Sequence, residues 1–251
     1  REKDHMSKDT DIKLHYIEKG TGSPLILLHG NGEDSGYFVH QIDHFSKDHC
    51  VIALDTRGHG KSPRGDKPFT IRQFAEDLHD FMDEQEIEKA DILGFSDGGN
   101  IALVFALKYP ERVDRLVLNG ANLYGRGVKP SVQIPIILGY HAACLFAGKS
   151  EAARKNAEML GLMVNDPDLT PEELSENRDP DFRRIPKLVL AGNRDMIKDE
   201  HTRLIYASLP NAQIRVMKGS HFIAKENPEE FNRIVEEFLR MSERQQGTDQ
   251  M

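Results

Sequence analysis

Gly94-Phe95-Ser96-Asp97-Gly98 is the segment that most constrains the architecture of this chain. Residues 90–93 before it form the pattern of a short buried strand, and residues 100–107 after it form that of an apolar helix. A serine between strand and helix, with a glycine two residues away on each side, is typical of a nucleophile elbow. The turn is so sharp that a side chain at either glycine would collide with neighbouring backbone. The pattern therefore predicts Ser96 as a nucleophile.

Further apolar segments of strand length precede and follow this turn. They lie at residues 14–17, 24–28, 50–54, 115–118, 188–191 and 214–217. The clearest helical pattern places apolar side chains on one face of residues 71–82, after Thr70 as N-cap and Gln73 as its capping-box partner. Strands that are almost continuously apolar and alternate with helices predict an α/β fold, with a mostly parallel sheet and helices on both faces.

Strand patterns stop between about Tyr124 and Pro186, where only helix signals occur. Those signals cover residues 133–147, 150–163 and 170–175. We interpret the segment as a helical cap inserted over the carboxyl edge of the sheet. The predicted organisation is an α/β core of residues 11–123 and 187–241, a cap of residues 124–186, and flexible termini at residues 1–10 and 242–251.

Composition narrows the classes of function. The chain has 251 residues, a net charge of −8 and no basic block, so neither nucleic acid nor a membrane is expected as a partner. The longest apolar run, residues 134–148, is too short and too interrupted to cross a bilayer. Cys50 and Cys144 lie in apolar stretches and are predicted to be buried free thiols, which favours a cytoplasmic protein.

A serine hydroxyl needs a general base, and the base needs an orienting acid. Of the eleven histidines, only His221 directly follows the last strand pattern, where its loop opens at the edge towards which the elbow points. Asp195 directly follows the strand before that, and the strand preceding it has no Asp or Glu at its end. Asp199 and Glu200 are rivals better suited to the first turn of the next helix. The order Ser96, Asp195, His221 is the one expected after such an elbow.

A tetrahedral oxyanion also needs backbone donors. We predict that these are the N–H of Asp97, directly after the nucleophile, and the N–H of Asn31 in the loop His29-Gly30-Asn31-Gly32. His29 is expected to be structural, with its ring packed under this loop. The Asp97 side chain is expected to cap the helix that starts at the elbow.

Another glycine-rich loop, Asp55-Thr56-Arg57-Gly58-His59-Gly60-Lys61-Ser62, completes the set of motifs. Together with the elbow, the HGNG loop and the late aspartate and histidine, it resembles the α/β-hydrolase superfamily over residues 11–241. The likeness is to small capped esterase-like members, including biphenyl-hydrolase-like and enol-lactonase-like hydrolases. It implies a serine hydrolase that works through an acyl-enzyme and needs no cofactor. We interpret the 55–62 loop itself as scaffold.

The predicted cap is rich in apolar side chains, some of which are expected to line a substrate pocket. The predicted substrate-binding residues are Phe95, Ile137, Tyr140, Leu145 and Phe222. They favour a carboxylic ester with a small to medium, mainly apolar acyl group as the substrate. His141 and Cys144 have no supporting ligand cluster, so no metal site is predicted.

Other interpretations stay open. The chain could hydrolyse a C–C bond or open an enol-lactone, as enzymes of aromatic degradation do. Such substrates carry carboxylates, for which the predicted cap offers Arg126, Arg154 or Arg178. Glu33 and Asp34, beside the HGNG loop, could instead hold an amine-bearing substrate. A ligand receptor could have kept the triad for sensing, and a homodimer is compatible with all of these functions.

Overall fold

The computed structural model of the protein describes residues 11–248, with side chains described as far as Met241. Its strands are β1 (Tyr16–Lys19), β2 (Ser23–Leu28), β3 (His49–Leu54), β4 (Ala90–Phe95), β5 (Val113–Asn119), β6 (Lys187–Gly192) and β7 (Ala212–Met217). They form a seven-stranded sheet in the order β1-β3-β2-β4-β5-β6-β7. β1 runs antiparallel to β3, and every other neighbouring pair is parallel. The prediction of a mostly parallel sheet is confirmed.

Helices cover both faces of the sheet. They are α1 (Val39–Phe45), α2 (Ile71–Glu84), α3 (Asp97–Lys108), α4 (Pro130–Phe146), α5 (Glu151–Asn165), α6 (Pro171–Ser175), α7 (Pro180–Arg184), α8 (Asp199–Ser208), α9 (Ile223–Glu226) and α10 (Pro228–Thr248). Successive residues of a strand point to opposite faces, so two buried clusters result. Ile26 and Leu28 of β2 pack with α2 and α3, while Leu25 and Leu27 pack with α1 and α10.

The residues at the start of α2 show how local sequence determines where a helix begins. Thr70 Oγ1 accepts a hydrogen bond from the Gln73 N–H at 3.1 Å, as predicted for an N-cap. The Gln73 side chain donates to Asp77 Oδ1 at 3.0 Å, which differs from the predicted capping box. Asp77 also binds Arg57, whose fully buried guanidinium donates to both Asp77 and Asp11. Arg57 thereby ties its own glycine-rich loop to α2.

The segment between β5 and β6 consists, among the described residues, of α4 to α7 without a strand. α4 starts at Pro130, earlier than the pattern indicates, because a proline at the first helical position loses no hydrogen bond. α7 has no counterpart in the sequence-based prediction; it starts after Asp179, whose side chain accepts from the N–H groups of Asp181 and Phe182. The boundaries of a separate cap at residues 124–186 stay a prediction.

The predicted flexible termini fall partly outside the described residues. Residues 1–10 and 249–251 are not described, whereas the backbone of residues 242–248 continues α10. Within the described chain, no helix combines the length and apolar character needed to span a membrane. Cys50 and Cys144 are both free, but Cys144 is exposed, so its predicted burial is wrong. α4 has no charged residue on any side, and its sequence therefore does not reveal which side meets solvent.

The elbow glycines lie where no side chain fits. A Cβ atom on Gly94 would lie 2.1 Å from Gly98 O, and one on Gly98 would lie 2.0 Å from Leu28 O. Both obstacles are backbone atoms in a closely packed core, so neither can yield without shifting β2 or α3. The glycine spacing of the motif therefore follows from packing.

We expect Gly98→Ala to lower the free energy of unfolding by about 3 kcal/mol or more, which corresponds to roughly 6–12 °C in Tm. Gly148→Ala is the matched control, since no atom lies within 4 Å of a Cβ at that position. It should change the free energy of unfolding by less than about 0.5 kcal/mol. Thermal unfolding followed by circular dichroism measures both variants. Equal melting temperatures would contradict the packing explanation.

Candidate active site

Ser96 occupies the turn between β4 and α3 with φ 53° and ψ −120°. A positive φ is strained for a residue that carries a Cβ, and it persists only where the surroundings hold it. Here the Ser96 N–H donates to Asn119 O at 2.8 Å, and Ser96 O accepts from the Asn100 N–H at 3.0 Å. These bonds hold the strained turn at the carboxyl edge of the sheet.

The side chains of Ser96, His221 and Asp195 meet at this edge. His221 Nε2 lies 3.0 Å from Ser96 Oγ, and His221 Nδ1 lies 2.6 Å from Asp195 Oδ1. An ionised carboxylate can only accept, so Nδ1 carries the proton and donates it to Asp195. Nε2 is then the acceptor for the Ser96 O–H. His221 is 4% exposed and Asp195 is 1% exposed, so water hardly competes for these bonds.

The base and the acid each follow a strand and are held by their own surroundings. Asp195 Oδ1 also accepts the Ile197 N–H at 2.9 Å, and Lys129 Nζ donates to the backbone oxygen of Asp195. The serine before His221 donates its hydroxyl to Glu226 at 2.5 Å, which anchors the loop after β7. No sequence pattern indicates Lys129 or Glu226, because their partners are set by the tertiary fold. The rivals of Asp195 lie in the first turn of α8, as predicted.

The loop that contains Asn31 lies directly beside the elbow. A Cβ on Gly30 would lie 3.2 Å from Ser96 Cβ, which shows how closely this loop approaches the serine. In the part of the chain that the structure describes, neither the Asn31 N–H nor the Asp97 N–H donates to another protein group. Both N–H groups are therefore free to donate to a bound molecule.

Two side chains near this loop have different roles. His29 is buried, its Nδ1–H donates to Gly30 O at 2.8 Å, and its Nε2 accepts the Thr56 N–H at 3.0 Å, so this ring is structural. Asp97 does not cap α3, contrary to the prediction; its carboxylate accepts from Asn31 Nδ2 at 2.9 Å. Burial raises the pKa of Asp97 to about 6. The prediction that Asp97 caps α3 is wrong because its carboxylate accepts a hydrogen bond from the Asn31 amide, which lies outside that helix.

Comparison with known proteins agrees with the fold. A family profile described as the alpha/beta hydrolase fold matches residues 23–138. The 2-hydroxy-6-oxononadienedioate/2-hydroxy-6-oxononatrienedioate hydrolase of Burkholderia vietnamiensis is 30% identical, and the match covers 92% of each chain. The chain belongs to the α/β-hydrolase family.

Two further matches place this α/β-hydrolase among its relatives. The 2-hydroxymuconate semialdehyde hydrolase of Pseudomonas putida is 30% identical over 90% of each chain. The solved structure of the meta-cleavage product hydrolase from Pseudomonas fluorescens IP01 matches with a TM-score of 0.73 and 26% identity, over 92% of this chain and 95% of that one. The comparisons confirm the family resemblance and support hydrolase activity, and they do not single out ester hydrolysis.

A cavity of about 580 Å³ lies beside the inserted helices of this α/β-hydrolase. It is lined by Tyr124, Gly125, Arg126, Gln133, Ile137, Val164, Asn165 and Asp168. Of the predicted substrate-binding residues, only Ile137 belongs to this lining. Ser96 is not part of this lining. Gly120 contacts the triad, since a Cβ at that position would lie 2.7 Å from the His221 ring, and it precedes Tyr124 of the lining by four residues.

The other predicted pocket residues lie elsewhere. Phe95 is buried with its ring centroid 4.9 Å from that of His221, and Phe222 is 43% exposed with its centroid 5.6 Å from the same ring. Tyr140 packs against α5, and Leu145 is 78% exposed on α4. The structure thus brings Phe95 and Phe222 to the triad, packs Tyr140 against α5 and exposes Leu145 to solvent. α4 is uncharged throughout, so its sequence cannot separate lining positions from exposed ones.

Glu33, Asp34 and Tyr37 follow the HGNG loop in the sequence and lie close to the candidate site. The Tyr37 ring, which sequence patterns do not single out, stacks on Phe95 with centroids 4.4 Å apart. Asp34 caps a short helical turn by accepting the Gly36 N–H at 2.8 Å. Burial raises the pKa of Glu33. Among residues 11–248, no group of three His, Cys, Asp or Glu side chains could hold a metal ion.

Proposed function

We propose that the protein is a serine hydrolase in which Ser96 attacks a carbonyl carbon and forms an acyl-enzyme. The observation that carries this proposal is the pair of contacts from Asp195 to His221 and from His221 to Ser96, at 2.6 and 3.0 Å. As Ser96 Oγ bonds to carbon, its proton passes to His221 Nε2. Asp195 keeps the ring oriented and stabilises the imidazolium. The N–H groups of Asn31 and Asp97 donate to the oxyanion.

The remaining steps release two products. His221 gives its proton to the leaving group, and the acyl group stays on Ser96. A water molecule then loses a proton to His221 and attacks the acyl carbon. As the second tetrahedral intermediate breaks down, the proton returns to Ser96 and the acid product leaves. These steps use only groups of the chain and water.

For the bond that is cleaved, we propose a C–C bond of an oxo-dienoate in preference to an ester. Two relatives named as hydrolases of such compounds are 30% identical over 90% or more of both chains. A carbon leaving group needs its electron pair delocalised, and a conjugated oxo acid provides that delocalisation. Such a substrate also carries a carboxylate, and Arg126 of the cavity lining is the proposed partner for that carboxylate.

A carboxylic ester with a small to medium, apolar acyl group is the second candidate. The rings of Phe95 and Phe222 flank His221, and Ile137 lines the cavity beside the inserted helices. These apolar surfaces favour an uncharged acyl or alcohol group. An alcohol leaving group requires only the proton that His221 holds.

Arg126→Gln separates the two candidates. A hydrogen bond to a charged group contributes about 1.5–3 kcal/mol, so we expect kcat/KM for a 2-hydroxy-6-oxo-dienoate to fall by about 10- to 100-fold. Hydrolysis of p-nitrophenyl butyrate, which has no carboxylate, should stay near the wild-type rate. Loss of the dienoate absorbance and release of p-nitrophenol measure the two reactions.

Arg154→Gln is the matched control for this experiment. Arg154 is exposed on α5 and is not among the residues that line the cavity. It should leave both reactions unchanged. An equal loss of dienoate turnover in the two variants would contradict a specific role for Arg126. If the wild-type protein hydrolyses butyrate esters and leaves dienoates intact, the C–C hydrolase proposal is wrong and the ester hydrolase proposal is supported.

A further inference from the structure

The two residues whose N–H groups are proposed to bind the oxyanion are also joined through their side chains. Asn31 Nδ2 donates to Asp97 Oδ2 at 2.9 Å, across 66 positions of sequence. Asp97 is buried and opens α3, yet its carboxylate serves the HGNG loop rather than its own helix. One hydrogen bond therefore spans the gap between the two elements that carry the donors.

The same amide nitrogen also reaches the inserted helices. Asn31 Nδ2 donates to Met159 O of α5 at 2.8 Å. A side-chain amide has two N–H groups, so this contact and the one to Asp97 together use both of them. The Asn31 side chain is thus a junction of three elements: the HGNG loop, the elbow and α5.

A second contact holds α5 close by without touching these donors. Arg64 donates to Glu158, the residue before Met159, with its Nη2 2.7 Å from Glu158 Oε1. Glu158 and Asn31 therefore attach neighbouring residues of α5 to the core. Among the hydrogen bonds of the described residues, only those of Asn31 join α5 to Asp97.

We propose that Asn31 is a positioning residue whose side chain sets the spacing of the two oxyanion donors and makes that spacing depend on the docking of α5. The inference rests on the proposed function of Ser96, because an oxyanion forms only if this serine attacks. Donors must lie about 2.7–3.1 Å from the oxyanion, and a displacement of about 1 Å can lower a rate by about a hundredfold. Without the Asn31 side chain, the HGNG loop and the elbow keep their folds, but the distance between their two N–H donors is no longer fixed.

The test uses the second-order rate of labelling by a fluorophosphonate probe, whose phosphoryl oxygen needs the same donors as a substrate oxyanion. We expect Asn31→Ala and Asp97→Ala each to slow labelling by about 10- to 100-fold. The double variant should be no slower than the slower single variant, since both changes remove one shared bond. With p-nitrophenyl butyrate, kcat should fall while KM stays near the wild-type value.

Two further variants separate positioning from simple structural support. Asp97→Asn keeps an oxygen that can accept from Asn31 Nδ2, so it should recover most of the labelling rate lost in Asp97→Ala. Glu158→Gln removes only the charge from the other attachment of α5 and leaves both Asn31 hydrogen bonds in place, so it should label at nearly the wild-type rate. Melting temperatures show that each variant is folded, and Asn31→Ser takes the place of Asn31→Ala if the latter does not fold.

The outcomes distinguish this inference from the proposed function. A wild-type protein that is not labelled at Ser96 would overturn the proposed function, and the inference with it. Labelling of the wild type and of Asn31→Ala at the same rate would overturn the inference alone. Equal slowing in Asn31→Ala and Glu158→Gln would show that Asn31 only tethers α5, which also overturns it.

Discussion

Ser96→Ala should lower kcat by up to about a million-fold, which is the largest effect that we expect from any single change. Without Oγ, no acyl-enzyme forms, and the N–H groups of Asn31 and Asp97 can assist only direct attack by water. Residual catalysis of about 10³- to 10⁴-fold over the uncatalysed reaction should therefore remain. The substitution only exchanges the Ser96 hydroxyl group for a smaller, apolar hydrogen atom, so KM should change little.

Steady-state turnover of the substrate that the wild type prefers measures this loss. Ser175→Ala, at the exposed end of α6, is the matched control, because it removes a hydroxyl that is not in contact with the triad residues. It should retain full activity, which shows that neither a serine-to-alanine change nor the purification lowers turnover by itself. If turnover by Ser96→Ala is within tenfold of the wild type, Ser96 is not the nucleophile.

Asp195→Ala should lower kcat by about 10⁴-fold, which is the largest effect that we expect outside Ser96 and His221. The His221 ring would lose the acceptor for its Nδ1–H, and with it both its orientation and the stabilisation of the imidazolium. Asp195→Asn is the informative companion. Asp195 Oδ1 accepts from both His221 and the Ile197 N–H, so an amide oxygen is favoured at that position.

An asparagine held in this way keeps the proton on His221 Nδ1 and loses only the negative charge. A neutral hydrogen bond contributes about 1 kcal/mol, so Asp195→Asn should be roughly fivefold more active than Asp195→Ala. Measurement of kcat for both variants, with Tm as the control for folding, tests this ranking. If Asp195→Asn is as inactive as Asp195→Ala, the Ile197 N–H does not hold the amide oxygen towards the ring.

Local sequence was sufficient to predict the elbow because packing imposes its glycines. Gly94 and Gly98 face backbone atoms about 2 Å from where a Cβ would lie, so no other residue type fits the turn. Asp195 and His221 were predictable for a topological reason. Parallel strands end at one edge of the sheet, so residues that directly follow β6 and β7 meet the residue that follows β4.

The parts that escaped prediction depend on contacts between distant segments. The Asn31 side chain could not be assigned to Asp97 or to Met159, because nothing local indicates a partner 66 or 128 positions away. The placement of Leu145 failed for another reason. α4 has no charged side chain to mark the side that meets solvent, so period and hydrophobicity do not tell an exposed position from a lining one.

The most direct test of the Ser96 mechanism is to locate the covalent adduct formed with a fluorophosphonate probe. Intact-mass spectrometry and peptide mapping identify the modified residue in the wild type and in His221→Ala, whose thermal unfolding is checked first. The mechanism predicts one phosphonate per chain, on Ser96, formed rapidly in the wild type and far more slowly in His221→Ala. An adduct on another residue, or a Ser96 adduct that forms equally fast without His221, would contradict it.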